Sequence, residues 1–141
     1  MRDRMQFLRF MYTCLFESSE FGGTCIDSLV FHFPNDLNAT NNLNQSGVND
    51  TFMFGGAVKV SPMVNKAIAG VSTFKSHFPM GRWVNLATLN VLDAQIDGLY
   101  DLSIAETKTV TKHLRPGYLI PWQDLNLTGN FTGGPDVDRV S

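Results

Sequence analysis

Thr51-Phe52-Met53-Phe54-Gly55-Gly56-Ala57-Val58-Lys59-Val60-Ser61-Pro62 divides into two short runs, 51–54 and 57–61, split by a glycine pair and closed by a proline. Apolar or alternating runs of this length between turn residues are the pattern of β-strands. The same grammar continues on both sides. Downstream, 71–78 and 82–86 flank Pro79-Met80-Gly81 and read as a hairpin, with the turn residues in the middle. Residues 99–104 and 108–114 are further strand candidates. Arg115-Pro116-Gly117 places proline and then glycine at the central positions of a type II turn, and 118–122 reads as a last short strand. Upstream, Leu29, Phe31 and Phe33 alternate with Val30 and His32 as a strand stopped by Pro34-Asn35-Asp36, and 35–50 reads as an Asn-rich surface loop. Short strands spaced by turn signals predict an antiparallel β-sandwich. The expected fold class is mainly β, with one N-terminal α-helix.

That helix opens the chain. Met5, Leu8, Tyr12, Leu15 and Phe16 keep the three- and four-residue spacing of a buried face. Phe7, Phe10, Met11 and Cys14 carry apolar surface round to the other side, leaving Gln6, Arg9, Thr13 and Glu17 as a narrow polar stripe. A helix apolar over most of its circumference is buried on several sides. The strands offer it one sheet face, so a second partner is expected outside this sequence. Gly22-Gly23 ends the helix, because glycine takes a left-handed cap conformation without steric cost.

The 141 residues fit one domain. Hydrophobic residues make up 43% and charged residues 17%, enough to bury a core and too little charge for disorder. The 11 Lys+Arg are balanced by 13 Asp+Glu and form no basic cluster, which argues against a nucleic-acid partner. No apolar run approaches a membrane span. The first twenty residues lack the layout of a signal peptide, since Arg2, Asp3, Arg4 and Arg9 interrupt the stretch. Five Asn-x-Ser/Thr triplets, at Asn38, Asn44, Asn49, Asn126 and Asn130, are nevertheless more than the roughly one or two that random placement gives, and read as N-glycosylation acceptors.

Catalytic and metal motifs are missing from the pattern. His32, His77 and His113 lie far apart in strand candidates, without the spacing of a zinc site. Asp93, Asp97 and Asp101 recur every four residues, but Gly98 breaks any helix that would align them as a glycosidase carboxylate pair, and they read as a solvated loop. Cys14 and Cys25 can bridge if the chain doubles back; two small buried thiols is the reading favoured. No catalytic, substrate-binding, cofactor or metal residue is assigned, and no cofactor is expected.

Five segments, in order and with matching spacing, resemble glycoside hydrolase family 31, the α-glucosidase family. Residues 51–64 resemble its "FLLGDALLVAPVL" run. His77-Phe78-Pro79-Met80-Gly81-Arg82-Trp83 is similar to its "YFPxGxW" stretch, and His113-Leu114-Arg115-Pro116-Gly117-Tyr118-Leu119-Ile120-Pro121 to its "LRGGyIiP" strand. Residues 4–18 resemble the helix that closes the family's catalytic barrel, and Leu29-Val30-Phe31-His32-Phe33-Pro34-Asn35-Asp36 resembles "LFFEFPxD". Departures include Asp27-Ser28 for the family's Arg-Pro, Gly56 for the Asp of "LLGDA", and Val84-Asn85 for the Tyr-Asp after the tryptophan.

The resemblance implies a terminal helix of a truncated (β/α)₈ barrel at 1–24, a proximal C-terminal β-sandwich at 25–125, and a poorly ordered tail at 126–141. The family's nucleophile and acid/base carboxylates map onto no position here. The implied parent is a retaining α-glucosidase acting on α-linked glucose oligosaccharides through the missing barrel, lysosomal or extracellular. This segment would be inactive alone, its helix packing on that barrel, with Trp83, Phe78 and Phe54 serving the core. The rival reading is a non-enzymatic β-sandwich module that binds carbohydrate or protein, or a truncated pseudoenzyme.

Overall fold

Glycine decides where the first element stops. Helix α1 (Leu8–Phe21) ends at Gly22, whose φ of 80° turns its N–H back onto the carbonyl of Ser18 at 3.1 Å. Residues 5–64, 73–103 and 110–122 are described, in a computed structural model. After α1 come β1 (Ile26–Ser28), α2 (Leu29–His32), α3 (Leu37–Asn41), β2 (Phe52–Phe54), β3 (Val58–Pro62), β4 (Thr73–Phe78), β5 (Gly81–Asn85), β6 (Val91–Ala94), β7 (Gly98–Ser103) and β8 (Val110–Leu114). Strands β1-β2-β3-β8-β5-β6, in that order, form one sheet, and β4 with β7 forms a second. Every pairing is antiparallel.

The larger sheet is covered on both faces, so its strands carry two sets of buried residues. Between the sheets lie Leu29, Met53, Phe78, Trp83, Ala94 and Leu102, with Phe33, Phe74, Leu92 and Tyr100 against them. The Trp83 indole N–H donates to the Pro79 carbonyl at 2.8 Å, so the ring is buried without an orphaned donor. On the opposite face, Ala57 and Val58 meet Phe7 and Phe10 of the helical segment. The order is helix, six-stranded sheet, two-stranded sheet. Trp83 and Phe78 are fully buried core residues, as the sequence predicts.

Several local expectations are corrected. Residues 29–33 form a helical turn, not a strand: Phe33 N–H bonds to the Leu29 carbonyl at 2.9 Å. Positions 29 and 33 share a face in either geometry, and both reach the core; Phe31, 81% exposed, shows that the alternation is not a strand's. The segments around Pro79-Met80-Gly81 do not pair as a hairpin, since β4 joins β7 and β5 joins β6 and β8. This turn hands the chain from one sheet to the other. Asp93, read with Asp97 and Asp101 as a solvated loop, lies on strand β6, and Asp101 lies on β7 within the strand expected at 99–104. Residues 118–122 run without ladder bonds; Pro121 has no N–H to give, and Trp122 packs edge-on to Phe7 at 5.0 Å. The turn before them is as expected, with Gly117 at φ 80°. The tail at 126–141 lies outside the described residues.

Candidate functional site

One inward-facing row crosses the larger sheet. Directly opposed pairs Met53–Lys59, Lys59–His113 and His113–Asn85 place these four side chains on the face toward the smaller sheet. Lys59 is completely buried there. Its Nζ donates to Ser61 Oγ at 2.5 Å and to Ser76 Oγ at 2.7 Å, while Ser76 donates to Ser61 at 2.8 Å. The Nζ sits 3.8 Å from the centre of the Phe78 ring. These partners are hydroxyls and a ring face, so burial pushes the amine well below its usual value.

His113 stands beside it. Burial first, and then the charge on Lys59, push its imidazole down to about 3. The ring packs edge-on to Phe78 at 4.9 Å. Its Nδ1 is buried and has no hydrogen-bond partner among the described residues.

A second buried polar pair lies on the outer side of the smaller sheet. Asp36 caps α3 by accepting the Ala39 N–H at 2.9 Å, and its other oxygen meets His77 Nε2 at 2.5 Å. The His77 N–H bonds to the Gly47 carbonyl at 2.8 Å. The Asn-rich segment read as a free surface loop is therefore a cap over β4, with Asp36, Ala39, Val48 and Thr51 buried. The third histidine, His32, pairs locally with Asp27 at 3.1 Å.

The expected chemistry does not converge. Asp93 is exposed on β6, Asp101 pairs with Lys75 at 3.4 Å, and Asp97 accepts the Met80 N–H at 2.5 Å. Among the described residues, no group of three or more His, Cys, Asp or Glu is gathered to hold a metal. Cys14 and Cys25 form a disulfide, with Cα atoms 5.8 Å apart, correcting the favoured reading of two thiols. The glycine pair folds β1 back alongside α1, a reversal that sequence separation alone does not specify. The Lys59 centre had a readable signal, a lysine at an inward position of an alternating run. The Asp36–His77 pair had none, because 41 residues separate the partners.

The outward face of α1 is the largest unmatched feature. Phe7, Phe10 and Cys14 turn toward the sandwich and are buried. Tyr12, Phe16 and Phe21, at 66%, 62% and 83% exposure, lie with Leu15 on the solvent side. The face expected to be buried is thus mostly the one left uncovered. No helix among the described residues is long and apolar enough to cross a membrane. Of the glycosylation candidates, Asn38, Asn44 and Asn49 are all exposed on the cap, and the Asn38 Nδ2 donates to the Asp97 carbonyl at 2.8 Å. Asn126 and Asn130 lie outside the described residues.

Residues 22–120 match the glycosyl hydrolase family 31 C-terminal domain. The chain belongs to this family. Among family relatives, it is 33% identical over 125 residues to the alpha-glucosidase of Hordeum vulgare, covering 89% of this chain and 13% of that protein. It is 27% identical to the lysosomal alpha-glucosidase of Rattus norvegicus, covering 89% of this chain and 14% of the relative. The chain thus spans about one seventh of the length of these two relatives. A crystal structure of a family 31 alpha-xylosidase from a soil metagenome, complexed with xylose, superposes with a TM-score of 0.63 at 21% identity, covering 82% of this chain and 15% of the other. At that identity the likeness establishes the fold: an N-terminal helix with family 31 C-terminal β-sheets.

Proposed function

We propose that the chain is the barrel-closing helix and proximal β-sandwich of a retaining α-glucosidase, and that its contribution is structural. The parent would hydrolyse terminal α-linked glucose by double displacement through a covalent glycosyl–enzyme intermediate, with both carboxylates supplied by the barrel. The observation that carries this reading is the two-sided apolar character of α1. One side closes on the sandwich through Phe7 and Phe10, and the other presents Tyr12, Leu15 and Phe16 to whatever lies beyond. Such a face suits a helix held between two bodies. The proposed division places 1–24 with the barrel, 25–125 in the sandwich and 126–141 in a tail.

The sequons fit a parent that passes through the secretory pathway, lysosomal or extracellular. Asn44 and Asn49 are the favoured glycan acceptors on the cap, since both are exposed and the Asn38 Nδ2 is engaged with Asp97.

Sedimentation of purified residues 1–141 tests the helix assignment. The unchanged chain should self-associate, and L15E/F16E should be a monomer with an unchanged far-ultraviolet spectrum. Neither protein should turn over an aryl α-glucoside. A monomeric unchanged chain, or measurable turnover by it, would overturn the proposal.

A further inference from the structure

The smaller sheet rests on the larger one through side chains. Among the described residues, no ladder bond joins β4 or β7 to the six-stranded sheet. Two inward side chains of β4 meet two bases of that sheet. Ser76 Oγ accepts from the Lys59 Nζ at 2.7 Å and donates to Ser61 at 2.8 Å. The centre of the Phe78 ring is 3.8 Å from the Lys59 Nζ and 4.9 Å from the centre of the His113 ring, which stands nearly perpendicular to it. Lys59 and His113 are directly opposed across β3 and β8, and are 0% and 1% exposed. Charge placed on either base therefore falls at the contact between the sheets.

The surroundings supply no opposite charge. Among the described residues, no carboxylate pairs with Lys59 or His113. Their neighbours are Met53 on β2, Asn85 on β5, Phe74 on β4, and Tyr100 and Leu102 on β7. Asp27 on β1 lies opposite Met53 but is engaged by Thr24 and His32. Lys75, His77 and Asp101 alternate to the outer face, where Lys75 pairs with Asp101 and His77 with Asp36. Lys112 alternates to the helix side, over the Phe7 ring, and Arg82 and Asp93 are exposed. Burial first, and then Lys59, push the His113 imidazole down to about 3. We propose that Lys59 and His113 form an acid-sensitive clamp between the sheets: proton uptake at His113, beside Lys59, releases β4 and β7 as a unit while the six-stranded sheet stays paired. The inference does not rest on the proposed barrel chemistry.

Opening returns His113 to water and to the ordinary imidazole value of 6.5. Between about pH 6.5 and 3 the open form binds a proton that the closed form refuses, so opening rises by up to about tenfold for each pH unit lost. The test is amide hydrogen exchange of residues 1–141 between about pH 7 and pH 4, corrected for the intrinsic rate. Opening read at 73–78 and 98–103 should rise roughly a hundredfold over that range, while 58–62 and 110–114 stay protected. H113F should remove the rise; H113Q, which carries no charge at any pH, serves if H113F does not fold. S76A, which deletes the hydroxyl between the sheets, should raise opening at pH 7 by roughly fivefold and keep the pH dependence. Both sheets exchanging together would mean global unfolding only and overturn the proposal. So would opening indifferent to pH, a rise retained without the imidazole, or S76A without effect.

Discussion

The ring of Phe10 lies so close over Gly55 that a Cβ built there would stand 2.6 Å from the ring's Cζ. The glycine has φ +56°, a region that side chains rarely adopt, and it sits in the turn between β2 and β3. The contact joins α1 to the sandwich through a position where only hydrogen fits.

Gly55→Ala should therefore cost about 2–4 kcal/mol, combining the left-handed backbone with overpacking of a filled site. Denaturant unfolding reads this. F10A/G55A should recover the overpacking part and not the backbone part, so a double-mutant cycle should give a favourable coupling. Additive effects would mean that the ring does not confine the turn.

The Cys14–Cys25 bridge ties the same helix to the strand segment across a separation of 11 residues. A loop of that size predicts a loss of about 2–3 kcal/mol on reduction. The expected outcome is a thermal midpoint lowered by dithiothreitol, with increased amide exchange across 8–21. A midpoint indifferent to reductant would show that aromatic packing alone holds α1.

Acid should weaken the fold through His113. Its folded pKa of about 3 lies below the ordinary imidazole value of 6.5, so between those limits the unfolded chain binds a proton that the folded chain refuses. Stability is full above about pH 6.5 and falls as pH drops toward 3, by up to about 1.4 kcal/mol per pH unit from this group. The check is the pH slope of unfolding free energy for the unchanged chain against H113F, which should be shallower by one proton's worth. Lys59→Met removes the secondary cause and should narrow the window from the acid side.

Asp36 joins a helix cap to a buried histidine, so its removal breaks two attachments of the outer cap. Asp36→Ala should destabilise by about 3–5 kcal/mol, the range for removing one partner of a buried pair. Hydrogen exchange should report the loss first at 36–41. Asp36→Asn, which can still cap the Ala39 N–H, should cost less. Equal losses in the two variants would place the effect in the His77 contact and not in the cap.

Much of the architecture was legible locally. The glycine pair after α1, the split runs around Gly55-Gly56 and the Pro116-Gly117 turn all act through backbone conformation, which the residue itself dictates. Leu29–Phe33 reads as a strand because positions four apart share a face in both a helix and a strand, and only the exposure of the intervening Phe31 separates the two. Pro79-Met80-Gly81 was recognised as a turn, but a turn does not name the strands it joins.

The sequence by itself determined the mainly β class, the turns, the apolar wrap of the opening helix and the family, through residues whose spacing and local conformation are intrinsic. The tertiary structure decided which strands pair, which side of α1 meets the sandwich, that Cys14 reaches Cys25, and that Lys59, Ser76 and His113 share one buried centre. Those outcomes depend on contacts between residues distant in the chain. Their free energy is set by burial and partner geometry, which exist only once the layers have come together.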